Sequence, residues 1–231
     1  KYTHHRGLFI GWKDTLVGGN DYDTWHMSNS YQQHLNWEAV AMGEKASRQV
    51  ETIRWYDALL KLGNDLAGKP LIEEVRTISA RKGQDGLRII DFGSRLTTLV
   101  GDIELRGDLQ HAGMQVRMAN EVSEHQDSTR YILPEGAEEL DNDEVVGAWW
   151  VCCSAVVRDT RYWLIHMTPP GHPTGEPVYS IRRYARFGAF FEPDLKAGQP
   201  LDLHFRVVVS EKELDRAACQ SLYDAYANTA Q

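Results

Sequence analysis

The chain has 231 residues, 33 acidic against 25 lysine and arginine side chains, and a formal charge of -8. A surface of that sign disfavours broad contact with nucleic-acid phosphates, which depends on basic patches that displace counterions. No apolar run approaches the roughly 18 residues that a spanning helix needs, so no transmembrane segment is expected. One large domain over residues 1–231 is the expectation, because all-β sandwiches reach this size undivided.

The chain opens on an extended segment, residues 2–12. Period-two alternation puts His4, Arg6, Leu8, Ile10 and Trp12 on one face and His5, Gly7 and Phe9 on the other. Gly7 and Gly11 mark a bulge or a close backbone approach. Residues 17–21 read as a loop. An aromatic and polar stretch follows, with Tyr22, Trp25, His26, Tyr31, His34 and Trp37. It reads as a long packed loop or as the lining of a sugar site, since aromatic faces stack on pyranose rings.

β-Branched residues recurring between polar ones predict antiparallel strands over 48–56, 70–81, 87–92 and 96–105, with a turn at 83–86. Residues 111–118 alternate again, Met114, Val116 and Met118 on a core face and His111, Gly113, Gln115 and Arg117 on a polar one. The acidic run between Glu121 and Glu144 reads as a solvated loop. The apolar stretch 145–157 predicts a central strand covered on both faces, turning through 158–160 into a hairpin partner over 161–167. Residues 169–177, rich in Pro and Gly, predict a loop that carries His172. Arg182, Arg183 and Arg186 make a basic cluster that suits an anionic substrate or simple strand-edge solubility. A last strand at 201–209 precedes a helix over 211–226, with Leu214, Ala217, Ala218, Leu222 and Ala225 on one side and Ser210 as its N-cap.

Cys152 and Cys153 are adjacent on a strand and point to opposite faces, so both read as small buried hydrophobes. Cysteine usage leaves the compartment open, cytoplasmic or exported, for a soluble protein in which no signal peptide is present. The fold class expected is all-β, a large antiparallel β-sandwich with a C-terminal helix.

The motifs His4-His5-Arg6-Gly7-Leu8 with Gly11, Gly107-Asp108 with His111-Ala112-Gly113, Gln115 and Arg117, and Pro169-Pro170-Gly171-His172-Pro173 resemble the PmoA-like family, labelled methane oxygenase. The resemblance runs over nearly the whole chain. It implies a supersandwich-like fold similar to mutarotase-like proteins and a place in carbohydrate metabolism. Relatives carry further strands before the double histidine, so N-terminal strands are expected to be missing here.

Histidine exchanges protons near neutrality, and arginine holds carboxylates or stabilises developing negative charge. The function expected is a carbohydrate-active lyase or hydrolase acting on a sugar or uronate. His5, His111 and His4 are the candidate acid/base groups. Arg6, Gln115 and Arg117 would orient the substrate, Trp12 and Trp25 would stack on it, and His172 would contact it from its loop. The alternatives are a non-catalytic carbohydrate-binding protein and a metal-dependent oxygenase. No residue is assigned as a metal ligand, no organic-cofactor motif is present, and a divalent metal remains compatible with nine histidines. A two-carboxylate glycosidase would need an Asp/Glu pair at a set separation, and Glu38 and Glu121 are its candidates.

Overall fold

The computed structural model describes residues 7–57, 61–62, 65–66 and 68–229. Its strands pair antiparallel throughout, in two large sheets packed face to face. The smaller has the order Gly7–Trp12, Ala112–Arg117, Arg186–Phe190, Val178–Arg182, Glu144–Val146, Glu138–Leu140. The larger, eight-stranded, has the order Arg130–Ile132, Trp150–Val157, Thr160–Met167, Leu201–Ser210, Arg88–Thr98, Pro70–Lys82, Ala46–Asp57, Ser30–Met42. A four-stranded sheet, which includes Asp14–Val17 and Ile103–Arg106, closes one end.

Alternation decides which side chains meet between the layers. Ile10, Trp12, Met114, Val116, Phe187 and Ala189 come from the smaller sheet, and Ile53, Trp55, Ile72, Phe92, Leu96 and Phe205 from the larger. Trp12 and Trp55 join the two, with ring centroids 6.2 Å apart. The interior also holds a carboxylate. Glu74, fully buried, accepts hydrogen bonds from Trp55 Nε1 at 3.0 Å, Ser94 Oγ at 2.8 Å and Arg76 at 2.8 Å.

The all-β sandwich with its C-terminal helix stands, with five local differences. The acidic run expected as a solvated loop instead holds a short helix, Asn120–Glu124, and the strands Arg130–Ile132, Glu138–Leu140 and Glu144–Val146. Residues 145–157 form two strands in different sheets. Gly147, at φ +70, lets the chain leave the smaller sheet after Val146 and enter the larger at Trp150. Ser30–Met42 is a strand, so Tyr31, His34 and Trp37 lie on the open edge of the larger sheet. Register shifts at His34/Asn36 and Trp37/Ala39 interrupt its pairing, which is how natural edges discourage further pairing. The predicted strand 96–105 divides into the end of Arg88–Thr98 and a separate strand, Ile103–Arg106. The helix begins late, at Arg216, with Asp215 as its cap accepting from Ala218 N at 2.8 Å. Ser210 instead folds onto the next turn, donating to Lys212 O at 2.7 Å and accepting from Lys212 N at 3.0 Å.

The helix packs on the outer face of the larger sheet, where Cys219 and Tyr226 meet Cys152, Ile165 and Val208. Cys153 faces the opposite way, into the core between the sheets. Burial pushes its thiol up to about 12, so it remains an uncharged apolar filler.

Candidate functional site

The polar row on Ala112–Arg117 lies on the outer face of the smaller sheet, because Met114 and Val116 take the inner one. It is nevertheless covered: Gln115 is fully buried and Arg117 nearly so. What covers it is built from two short turns with the same sequence pattern. Asp23-Thr24-Trp25-His26 and Asp108-Leu109-Gln110-His111 both read Asp-x-x-His. In each, the aspartate accepts the N–H of the residue two further on, Trp25 at 3.1 Å and Gln110 at 3.0 Å. This Asx-type turn brings the imidazole back onto the same carboxylate. His26 Nδ1 stands 2.8 Å from Asp23 Oδ2, and His111 Nδ1 stands 2.7 Å from Asp108 Oδ1.

Two glycines make the turns possible. A Cβ on Gly11 would lie 2.6 Å from Thr24 O, so only glycine lets that turn lie flat on the first strand. Thr24 is then fixed there, its N–H and hydroxyl donating to Trp12 O at 2.9 and 2.8 Å. A Cβ on Gly107 would lie 2.6 Å from His111 O, so the second turn has the same requirement.

The turns face each other. The His26 and His111 rings are 4.9 Å apart at 46°, and Trp25 meets His111 edge-on at 5.9 Å. Arg186, buried, enters from the neighbouring strand beside them. It donates to Gln110 O at 3.0 Å and Gln115 Oε1 at 3.2 Å, with its guanidinium 5.8 Å from the Trp25 ring. Tyr184 lies against both Arg186 and Arg117. Gln115 Nε2 is buried with no hydrogen-bond partner among the described residues, and an unmet buried donor of this kind is the mark of a place where another group belongs.

Burial lowers the pKa of His111 below the ordinary imidazole value, against the pull of Asp108. Burial would raise Asp108, but the Gln110 N–H and His111 outweigh it and hold its carboxyl low. At neutral pH the pair is therefore a carboxylate and a neutral imidazole whose Nδ1–H is donated. The Nε2 lone pair is left for chemistry.

The cluster unites His111, Gln115, Arg117 and Trp25 with Arg186 from the basic cluster. His4, His5 and Arg6 lie outside the described residues; the strand that follows them runs beside the polar row, Gly7 opposite Arg117. Trp12 is no stacking wall. Its ring is wholly buried between the sheets and its Nε1 donates to Phe191 O at 2.9 Å. Trp25, 2% exposed, can offer at most an edge. His172 is no loop contact either, since its ring packs inside against Phe191 at 4.5 Å and Phe205 at 5.6 Å. The sequence leaves Asp23 without a role and places His26 only within a stretch read as a packed loop or as the lining of a sugar site. The repeated Asp-x-x-His spacing was the signal for both. Among the described residues, no group of three or more His, Cys, Asp and Glu is arranged to hold a metal ion, and no helix is long and apolar enough to cross a membrane.

The fold and this cluster define a β-sandwich protein with a covered polar site on one outer face. The chain belongs to the family of unknown function DUF6807, whose model matches residues 1–224. No curated protein matches it. Among solved structures it is similar to a chain described as "Putative kojibiose phosphorylase from human microbiome". That similarity has 10% identity and a TM-score of 0.38, over 94% of this chain and 24% of that one. A likeness so loose bears on neither substrate nor reaction.

Proposed function

We propose that the protein is a carbohydrate-active enzyme that works by histidine acid/base chemistry on an acidic sugar, and that the reaction is an elimination. The observation that carries this reading is the His26–His111 pair, 4.9 Å apart, each Nδ1 held by its own aspartate. Two imidazoles held in this way can remove one proton and deliver another within a single site. Arg186 and Arg117 supply positive charge for a substrate carboxylate and for the enolate formed when the adjacent C–H is broken. As the C–H electron pair becomes the new C=C bond, the C–O bond opposite it breaks and the leaving oxygen takes a proton from the second imidazole. Hydrolysis is less well served. Asp23 and Asp108, the carboxylates nearest the cluster, are both engaged in holding imidazoles, whereas a glycosidase needs them at the scissile bond. A simple sugar-binding role would want an exposed aromatic platform, and Trp12 and Trp25 are buried. The motif resemblance to the PmoA-like family, which implies a place in carbohydrate metabolism, supports the same substrate class.

The test is incubation of the purified protein with oligosaccharides of glucuronate, galacturonate and mannuronate, read by mass spectrometry. Elimination yields two fragments whose masses sum to that of the substrate. Hydrolysis adds one water, and turnover of neutral oligosaccharides alone would refute the acidic-sugar assignment.

The pH profile gives a second check. His111 acts as a base only when neutral, so activity falls below its pKa, and that limb lies under the ordinary value of about 6.5. Asp108 opposes the effect of burial, so Asp108→Asn moves the limb to still lower pH. With the tautomer no longer fixed, kcat also falls by roughly tenfold to a hundredfold. A limb that stays in place would show that another group titrates.

A further inference from the structure

The face of the larger sheet turned away from the histidine cluster carries a cleft of about 540 Å³, lined by residues with no part in the site above. Its floor follows from the pairing register. Thr77, Gly93 and His204 stand side by side on adjacent strands, and in the next row Arg48, Ser79, Asp91 and Arg206 do the same. Gly93 leaves a notch in this floor: a Cβ there would meet the His204 ring, Nδ1 at 3.5 Å and Cε1 at 3.8 Å, and Thr77 Cβ at 3.7 Å, all ordinary contacts. Pro169 and Gly171 form one wall, and Tyr226 and Thr229 at the end of the helix form another.

The chemistry of the lining is mixed. Three arginines and one aspartate line a cleft in a protein whose net charge is -8. Arg206 is held rigidly, with Nε 2.5 Å from Asp91 Oδ1 and its guanidinium 4.5 Å from the Tyr226 ring. Arg95 is paired with Asp202 at 3.1 Å. Arg48 has no ion pair or hydrogen bond among the described residues and stands at the edge of the same row as the Asp91–Arg206 pair.

We infer that this cleft binds a second carbohydrate, a single sugar unit carrying one acidic group, with Arg48 taking the anion and Asp91, Arg206, His204 and Thr77 meeting the hydroxyls. A carboxylate beside a fixed guanidinium offers both acceptors and donors to vicinal hydroxyls, which a cleft for a bare anion would not need. The volume has room for one pyranose ring with its acidic group. Both sheets separate this cleft from the histidine cluster, so it would hold ligand without taking part in the reaction.

The experiment is amide NMR titration of the intact protein with glucuronate, glucose 6-phosphate and glucose, reading the signals of Thr77, Gly93 and His204. Saturable shifts with at least one acidic sugar are expected, and the two arms show whether carboxylate or phosphate is the better anion. Arg48→Ala weakens that binding about tenfold or more, the loss of one charge-assisted contact. Gly93→Val, which its strand setting tolerates, fills the notch and abolishes binding while the rest of the spectrum is preserved. His26→Ala and His111→Ala leave these shifts unchanged, which separates this site from the proposed catalytic one. The inference is overturned if neither acidic sugar shifts these signals, if glucose binds as tightly, or if both cleft variants bind like the parent protein.

Discussion

Lowering the pH from 7 to 5 is expected to remove about 4 kcal/mol of folding stability through two buried histidines. His166 is wholly enclosed between Tyr179 OH at 3.0 Å and Met114 Sδ at 3.0 Å. Burial, with a smaller push from His172, lowers its pKa to about 3, and burial lowers that of His172 to about 4. Unfolded, both return to about 6.5. Between those values the unfolded chain binds more protons than the native one. The stability is therefore fully present above pH 6.5 and drains as pH falls toward 4 and 3, at about 1.4 kcal/mol per pH unit for each ring. Urea midpoints measured across this range check it. His172→Phe, which keeps the ring contacts with Phe191 and Phe205, should halve the slope between pH 6 and 5. An unchanged slope would show that the rings are not held neutral.

The second large effect concerns the buried carboxylate. Glu74→Ala leaves the Arg76 guanidinium without its ion pair in the sandwich interior and Trp55 Nε1 without its acceptor, and is expected to cost about 3–5 kcal/mol. The neighbouring Glu74 carboxylate is what keeps Arg76 charged, raising its pKa although burial, the largest influence, lowers it. Glu74→Gln retains an acceptor for Trp55 and Ser94 but not the charge, and should fall between. Chemical denaturation of the three proteins orders them. Equal stability of parent and Glu74→Ala would mean that water reaches Arg76 and that the interior is looser than drawn here.

Much of the sandwich is legible in the chain because one face of most strands is buried, and burial on one side writes a period of two into the residues. The alternation of 111–118 placed Met114 and Val116 inward and Gln115 and Arg117 outward, as found. Ser30–Met42 escaped because an edge strand whose outer half is exposed on both faces has no such constraint, and its two register shifts break what alternation there is. The run 145–157 looked like one strand because both halves are apolar. The single residue that divides it, Gly147, is informative only through its φ.

The site was legible in part for a related reason. His111, Gln115 and Arg117 share a strand or its approach, so spacing alone groups them. His26 comes from a segment 85 positions away, brought over the sheet by Gly11 and Thr24, and nothing in its periodicity says so. Its turn chemistry does, once Asp23-x-x-His26 is set beside Asp108-x-x-His111. Trp12 and His172 were misplaced because aromatic and imidazole rings serve equally well in a core and at a site, and only burial separates the two.

The most direct test of the proposed chemistry is the turnover of an oligouronate by His26→Ala and His111→Ala beside the parent protein, with thermal midpoints confirming that all three are folded. If the imidazoles are the acid and base, each substitution lowers kcat by about 10²–10⁴-fold and the double variant loses little more than the worse single one. Parent-like rates in both variants would remove the histidine pair from the reaction and leave the cluster a structural one.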